Sequence, residues 1–101
     1  MLNSERKKRF RAIGHNLKPI VTVAGNGLSE TVLAELNRAL NDHELIKIKL
    51  VFDEREDRQL AIEEICKLTD AENVQSIGKV VLLYKPAKKP NPKLSNILRI
   101  S

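Results

Sequence analysis

The residues with the clearest chemical potential form a glycine-containing turn between a predicted strand and a predicted helix. Gly25, Asn26 and Gly27 follow a β-branched run. Leu28 and Ser29 open the apolar helix that comes next. Glycines remove side-chain bulk, so a ligand could approach this backbone closely. The helix would present free N–H groups and the positive end of its dipole, which attract phosphate. A plain turn is the alternative interpretation.

Other reactive side chains form no catalytic or metal-binding pattern. His15 and His43 lie at predicted helix ends, outside any Cys/His metal spacing. The acidic run at 53–57 lacks EF-hand spacing, and Cys66 has the apolar neighbours of a buried helix face. The glycine turn is not followed by the Gly-Lys-Ser/Thr sequence of a Walker loop. It also lacks the third glycine of a dinucleotide-binding fingerprint. We therefore predict no catalytic residue, no metal, no cofactor and no enzyme activity.

Charge is distributed unevenly along the 101 residues, although the formal net charge is only +5. Residues 1–18 contain six Lys/Arg and one acid, and residues 79–101 contain six Lys/Arg and no acid. The segment between them contains six basic and twelve acidic residues. Clustered Lys and Arg favour a polyanion, because they release counterions when they meet phosphates. The alternative is that the basic ends only aid solubility.

Composition removes several classes of protein. A single cysteine excludes an internal disulfide, and no apolar run reaches the roughly 18 residues of a membrane span. The N-terminal residues lack the apolar core of a secretory signal, so we expect a cytoplasmic protein with no membrane partner. Phe10, Phe52 and Tyr84 are too few aromatic residues for a base-stacking platform. Nucleic-acid binding would therefore depend on backbone and shape contacts, which suit structured RNA.

The elements that must position these residues follow the order α-β-α-β-α-β-β. Apolar spacing predicts a helix at 4–13, a second helix that Ser29 caps and whose buried face includes Leu28 and Leu40, and a third helix at 57–69. Ser4 and Gly14 are the expected caps of the first helix. In the third helix the expected inner face includes Leu68. Extended runs predict strands at 20–23, 45–52, 74–77 and 80–84, the last two joined by Gly78-Lys79.

These elements predict an α+β fold with a four-stranded mixed sheet and helices packed mainly on one face. Ile46, Ile48 and Leu50 would face the helices, whereas Lys47 and Lys49 would point from the other face. That second face is either solvated or a binding surface. We expect one domain at 1–86 and a basic, Pro/Lys-rich tail at 87–101, mobile or ending in a short docking helix.

Four ordered motifs resemble a known family. They are Leu17-Lys18-Pro19, Gly25-Asn26-Gly27-Leu28, the segment from His43 to Lys49, and the segment from Ile77 to Pro86. Together they resemble the CRM domain (chloroplast RNA splicing and ribosome maturation) in its stand-alone bacterial YhbY-like form. The resemblance implies a fold like the C-terminal domain of bacterial translation initiation factor three. It also implies a loop similar to the GxxG loop of KH domains, with Ala24 in place of the first glycine and Asp70 where the family closes its third helix with glycine.

The resemblance further implies an RNA-binding protein that associates with precursors of the large ribosomal subunit. We predict that it binds ribosomal RNA there and that it is a monomer. Its candidate RNA contacts comprise the turn and basic side chains of the two ends and the second strand: Gly25, Asn26, Gly27, Leu28, Lys7, Lys8, Arg11, Lys18, Lys47, Lys49, Lys79 and Lys85. The alternative is an adaptor that contacts ribosomal proteins or assembly factors through an acidic face. That face would consist of Glu30, Glu35, Asp53, Glu54, Glu63 and Glu64.

Overall fold

The chain forms a four-stranded mixed sheet flanked by helices, in a computed structural model that describes residues 3–24 and 28–100. The elements in chain order are α1 (Ser4–His15), β1 (Pro19–Ala24), α2 (Glu30–His43), β2 (Leu45–Val51), α3 (Arg55–Thr69), β3 (Glu72–Ile77), β4 (Val80–Tyr84) and α4 (Asn96–Ile100). The strands lie in the order β1-β2-β4-β3, with β1 parallel to β2 and the other pairs antiparallel. The predicted α+β class and mixed sheet are confirmed.

A large core lies between one sheet face and the helices α2 and α3. Ile46, Ile48 and Leu50 of β2 are fully buried there, as their alternation predicts. They pack with the inner residues of the two helices, which include Leu36 and Ile65. Removing this much apolar surface from water is the main favourable contribution to folding.

A small core occupies one end of the opposite sheet face. Phe10 and Ile13 of α1 pack there on strand residues that include Leu45, Leu82 and Tyr84. α4 contacts α1 and β2 on the same side. The expectation of helices mainly on one face therefore holds for α2 and α3, whereas α1 and α4 lie on the other face.

Helix α1 differs from its sequence prediction at both ends. Its N-cap is Asn3, whose Oδ1 accepts a 2.8 Å hydrogen bond from the Arg6 N–H, so Ser4 is not the cap. Gly14 does not terminate the helix, because α1 continues to His15 and ends at Asn16. Gly14 is instead buried against the Leu82 side chain, which would have to shift to admit a Cβ atom at this position.

Helices α2 and α3 follow the predicted pattern with one exception. Ser29 caps α2, and its Oγ accepts from the Val32 N–H at 3.2 Å. α3 ends at Asp70 in the left-handed conformation, with φ 62°, a region that aspartate tolerates better than most residues. Leu68 is 50% exposed, so its placement on the inner face was wrong. Thr69 is buried instead, and its hydroxyl donates to the Ile65 carbonyl at 2.6 Å.

The segment beyond residue 86 returns to the body of the domain. Ser95 and Asn96 are buried where α4 begins, and Ile97 packs against the small core. Asn96 Nδ2 donates to the Leu45 carbonyl at 2.7 Å. Of the two alternatives that the sequence left open for this segment, the structure contains the short docking helix.

Candidate nucleic-acid interface

The sheet face that carries the small core is covered by helices only at one end. Beyond them, one row of cross-strand neighbours crosses all four strands: Thr22, Lys49, Val80 and Ile77. Val80 is half-buried and the other three are exposed, Ile77 to 65%. We call this region, together with Lys47, the open sheet face. It offers a solvent-accessible surface about four strands wide, or roughly 15 Å across at ordinary strand spacing.

Lys47 and Lys49 lie in the middle of this face. β2 is a central strand, and the two residues alternate with buried Ile46, Ile48 and Leu50. Lys47 is half-buried beside its cross-strand neighbour Leu82, while Lys49 is exposed. Residues two apart on a strand are separated by about 7 Å, which is close to the spacing of successive phosphates on one strand. Within 3–24 and 28–98, neither lysine has a carboxylate partner.

Lys18 and Lys47 come together at the edge of the small core. Both line a cavity of about 310 Å³ that also contains Asn16, His43 and Asn96. His43 Nδ1 donates to the Leu94 carbonyl at 2.8 Å, which fixes the ring against the C-terminal segment. The cavity therefore combines two cations with polar side chains at the foot of the open sheet face.

Helix α1 places further cations on the same side of the sheet. Lys8 and Arg11 are exposed and Lys7 is half-buried. Arg6, which no sequence pattern marks, has a structural role instead. Its guanidinium lies 5.3 Å from the Phe10 ring centre, and Nη2 donates to the Tyr84 hydroxyl at 3.1 Å.

Two of the candidate lysines lie outside the row of residues that defines the open sheet face. Lys79 is in the β3–β4 turn, where its Nζ is 4.0 Å from Asp53 Oδ1. Lys85 lines a cavity with Asn37 and Asn41 of α2, on the side of the large core. The alternation of β4 predicts the position of Lys85, because Val81 and Leu83, which precede it at intervals of two residues, face α2 and α3.

The glycine turn is only partly within the structure. Gly25, Asn26 and Gly27 lie outside the described residues, so their predicted phosphate contact stays a prediction. Leu28 is half-buried and packs against the large core, which anchors the start of α2. The Ser29 hydroxyl satisfies one N–H group in the first turn of that helix.

The reactive side chains considered from the sequence have ordinary surroundings. Burial raises the pKa of the Cys66 thiol, and the nearby Glu72 carboxylate raises it further. The thiolate form is therefore disfavoured at neutral pH. In the described part of the chain no three His, Cys, Asp or Glu residues cluster as a metal site would require. Among the helices of residues 3–24 and 28–100, none has the length and apolar character to cross a membrane.

Comparisons with known proteins converge on one family. The family model for the CRS1/YhbY (CRM) domain matches residues 2–85. A Pseudomonas aeruginosa protein named a probable RNA-binding protein is 56% identical over 100 residues, covering 99% of this chain and 96% of its own length. An RNA-binding protein of Haemophilus influenzae is 44% identical over 88 residues, covering 87% and 89% respectively.

A solved structure shares the fold. It is the solution structure of a hypothetical Staphylococcus aureus protein for which RNA binding has been proposed. The two structures superpose with a TM-score of 0.77 at 28% sequence identity. The match covers 88% of this chain and 93% of the other.

Proposed function

Because the chain belongs to the CRS1/YhbY (CRM) domain family, we propose that it binds structured RNA through the open sheet face. The observation that carries this proposal is the position of Lys47 and Lys49. They occupy the central strand of an uncovered surface, and the cations of α1 and Lys18 lie on the same side or at its foot. A phosphate backbone is the partner that such a surface fits best.

The mode of recognition follows from the aromatic residues. Phe10 and Tyr84 are buried in the small core, and Phe52 packs against the large core. The open sheet face therefore has no aromatic side chain on which unpaired bases could stack. We therefore propose that the protein reads the shape and backbone of folded RNA, with binding that weakens steeply as salt rises.

We further propose that this RNA is ribosomal RNA in precursors of the large ribosomal subunit. The protein would act there in assembly, in the cytoplasm, as a monomer that catalyses no reaction. The supporting argument is family membership together with the four motifs that resemble those of stand-alone YhbY-like proteins. The turn at 25–27 would add a phosphate contact at the start of α2.

The decisive experiment reverses the charge of the two central lysines. Lys47→Glu/Lys49→Glu should abolish co-sedimentation with large-subunit precursors on sucrose gradients. It should also weaken binding to deproteinised large-subunit ribosomal RNA by more than about tenfold, because at least two phosphate contacts are replaced by repulsion. Both side chains reach solvent, so circular dichroism should show an unchanged fold.

A matched control exists on α3, which packs on the opposite sheet face. Arg55→Glu/Lys67→Glu changes the net charge by the same amount, and both residues are exposed. This variant should lose only the small, non-specific part of the affinity. Equal losses in the two folded variants would contradict the assignment of RNA to the open sheet face.

A second candidate function is a protein adaptor, and one specific observation favours it. A cavity of about 330 Å³ has apolar walls that include Phe52 and Leu60, with the carboxylates of Asp57 and Glu64 at its edge. Such a groove fits a basic, partly apolar segment of a protein. Binding to naked RNA at increasing salt separates the candidates, because an adaptor predicts only weak retention that does not depend on RNA length.

A further inference from the structure

Glu44 is a buried carboxylate at the corner between α2 and β2. The residue is only 6% exposed, although charged side chains are seldom buried without partners. Its backbone has φ 61° and ψ −49°, a region that residues other than glycine rarely occupy. Such a conformation persists only where surrounding contacts hold it. The contacts of Glu44 should therefore account for both its burial and its strained backbone.

Those contacts tie the C-terminal segment to the domain at three points. The Glu44 carbonyl accepts from the Lys85 N–H at 2.9 Å. Its Oε2 accepts from the Ala87 N–H at 3.0 Å, and its Oε1 accepts from the Ser95 hydroxyl at 2.7 Å. A single residue thus closes the loop formed by residues 85–95, which we call the basic arch.

The basic arch is cationic and internally ordered. It contains four lysines and no acid: Lys85, Lys88, Lys89 and Lys93. Except for Lys85, these lysines are exposed. Asn91 orders the second half of the arch, because its carbonyl accepts from the Ser95 N–H at 2.7 Å and its Oδ1 accepts from the Lys93 N–H at 3.0 Å. Three prolines at positions 86, 90 and 92 further restrict its backbone.

We propose that the basic arch is a second RNA-contacting element, separate from the open sheet face, and that Glu44 is its positioning residue. This inference rests on the RNA binding proposed above. Lys85 and Lys88 line a cavity with α2 residues on the side of the large core, so these two lysines meet a different stretch of RNA backbone from that met by Lys49. At the other end of the arch, the Leu94 carbonyl accepts from His43 at the foot of the open sheet face. A loop already held in shape loses less conformational entropy when it binds, which favours affinity.

Removing the charge of Glu44 should have opposite effects on RNA affinity, depending on whether Glu44 positions the arch or only contributes its negative charge. Glu44→Gln raises the net charge from +5 to +6, which by itself should strengthen binding to RNA. A glutamine side chain, however, accepts only through its single amide oxygen, so it cannot accept from the Ala87 N–H and the Ser95 hydroxyl through separate oxygens as the carboxylate does. Release of the arch should therefore weaken binding to deproteinised large-subunit ribosomal RNA by about three- to tenfold, the effect of one or two phosphate contacts.

The same variant should show release of the arch directly. Trypsin cleaves poorly before proline, so Lys88 and Lys93 are the expected cleavage sites within the arch. Both should be cut faster in Glu44→Gln than in the natural protein. Faster cleavage together with unchanged or stronger RNA binding would overturn the proposal. Unchanged cleavage would overturn the positioning role of Glu44.

Two further variants keep the proposal testable if Glu44→Gln does not fold. Ser95→Ala removes the hydroxyl that donates to Oε1 and accepts from the Ile97 and Leu98 N–H groups, so it should give the same two effects. Lys88→Ala/Lys89→Ala/Lys93→Ala should lower the slope of log affinity against log salt by about two to three. An unchanged slope would overturn the arch as an RNA contact.

The outcomes also separate this inference from the function proposed above. Loss of RNA binding in Lys47→Glu/Lys49→Glu, with none in the arch variants, would reject the arch and keep the open sheet face. Failure of the natural protein to bind the RNA would reject the proposed function itself. Loss in both sets of variants supports two contact surfaces.

Discussion

Gly14 of α1 lies directly against Leu82 of β4. A Cβ atom at residue 14 would fall 2.5 and 2.7 Å from the two Leu82 methyl carbons, and Leu82 is itself buried. In Gly14→Ala, helix propensity should raise the free energy of unfolding by about 1 kcal/mol, whereas overpacking should lower it by about 1–3 kcal/mol. We expect a net loss of stability, measured by urea unfolding.

A double-mutant cycle isolates this contact. Leu82→Ala leaves a cavity in the small core and should destabilise the protein by itself. In the Leu82→Ala background, Gly14→Ala should become neutral or stabilising, because the added methyl group then has space. Strictly additive effects would show that Gly14 is not constrained by Leu82.

Arg6 should stabilise the domain rather than bind RNA. Its guanidinium lies over the Phe10 and Tyr84 rings and donates to the Tyr84 hydroxyl. Arg6→Ala should lower the free energy of unfolding by about 1–2 kcal/mol, the sum expected for one hydrogen bond and an exposed cation–π contact. Arg9→Ala is the matched control, since Arg9 is also an exposed arginine on α1. Equal unfolding midpoints for Arg6→Ala and Arg9→Ala would argue against a stabilising role of Arg6.

Lys79 should contribute less to RNA binding than Lys49. Its ammonium group lies 4.0 Å from the Asp53 carboxylate, which is 99% exposed and offsets the local positive potential. Lys79→Ala should weaken RNA binding by less than about threefold, against about three- to tenfold for Lys49→Ala. Asp53→Asn should strengthen binding slightly. Filter binding at several salt concentrations provides the comparison, and a larger effect at Lys79 would move the interface toward the β3–β4 turn.

Cys66 should make stability fall at alkaline pH. Burial and the Glu72 carboxylate raise the folded-state pKa of its thiol above the ordinary value of 9.0. The neutral thiol therefore contributes stability that is present below pH 9.0 and is lost as the pH rises through the folded pKa. The difference in unfolding free energy between the natural protein and Cys66→Ala should shrink from about pH 8 to pH 10. Parallel pH profiles would show that the thiol has the same pKa in both states.

Periodicity predicted most of the fold because the two cores follow local spacing. The alternation around Ile48 and the helical spacing around Leu36 each indicate which side is buried. The role of Gly14 could not be predicted in the same way, since a glycine near a helix end fits both a cap and a close contact. Only the distant partner Leu82 distinguishes the two. Leu68 satisfies the helical spacing, yet at the end of α3 it is exposed.

The candidate site was predictable to a similar extent. The alternation of β2 predicts that Lys47 and Lys49 share a face, and the structure places both on the open sheet face. Glu44 was missed as a functional candidate, because no local pattern marks an acid whose partners are up to 51 residues away. Its role depends on where the C-terminal segment returns, and that is a tertiary property.

The small core joins parts of the chain that are far apart, and this should order the folding process. Arg6 and Tyr84, which meet beside it, are separated by 78 residues, whereas β1, α2 and β2 follow one another closely. Closing a long loop costs more entropy, so the contacts of α1 should form after the large core. Amide protons of α1 should accordingly exchange with solvent through a partial opening that leaves β2 protected. The docking of α1 would then be the last step of folding and the first to be reversed.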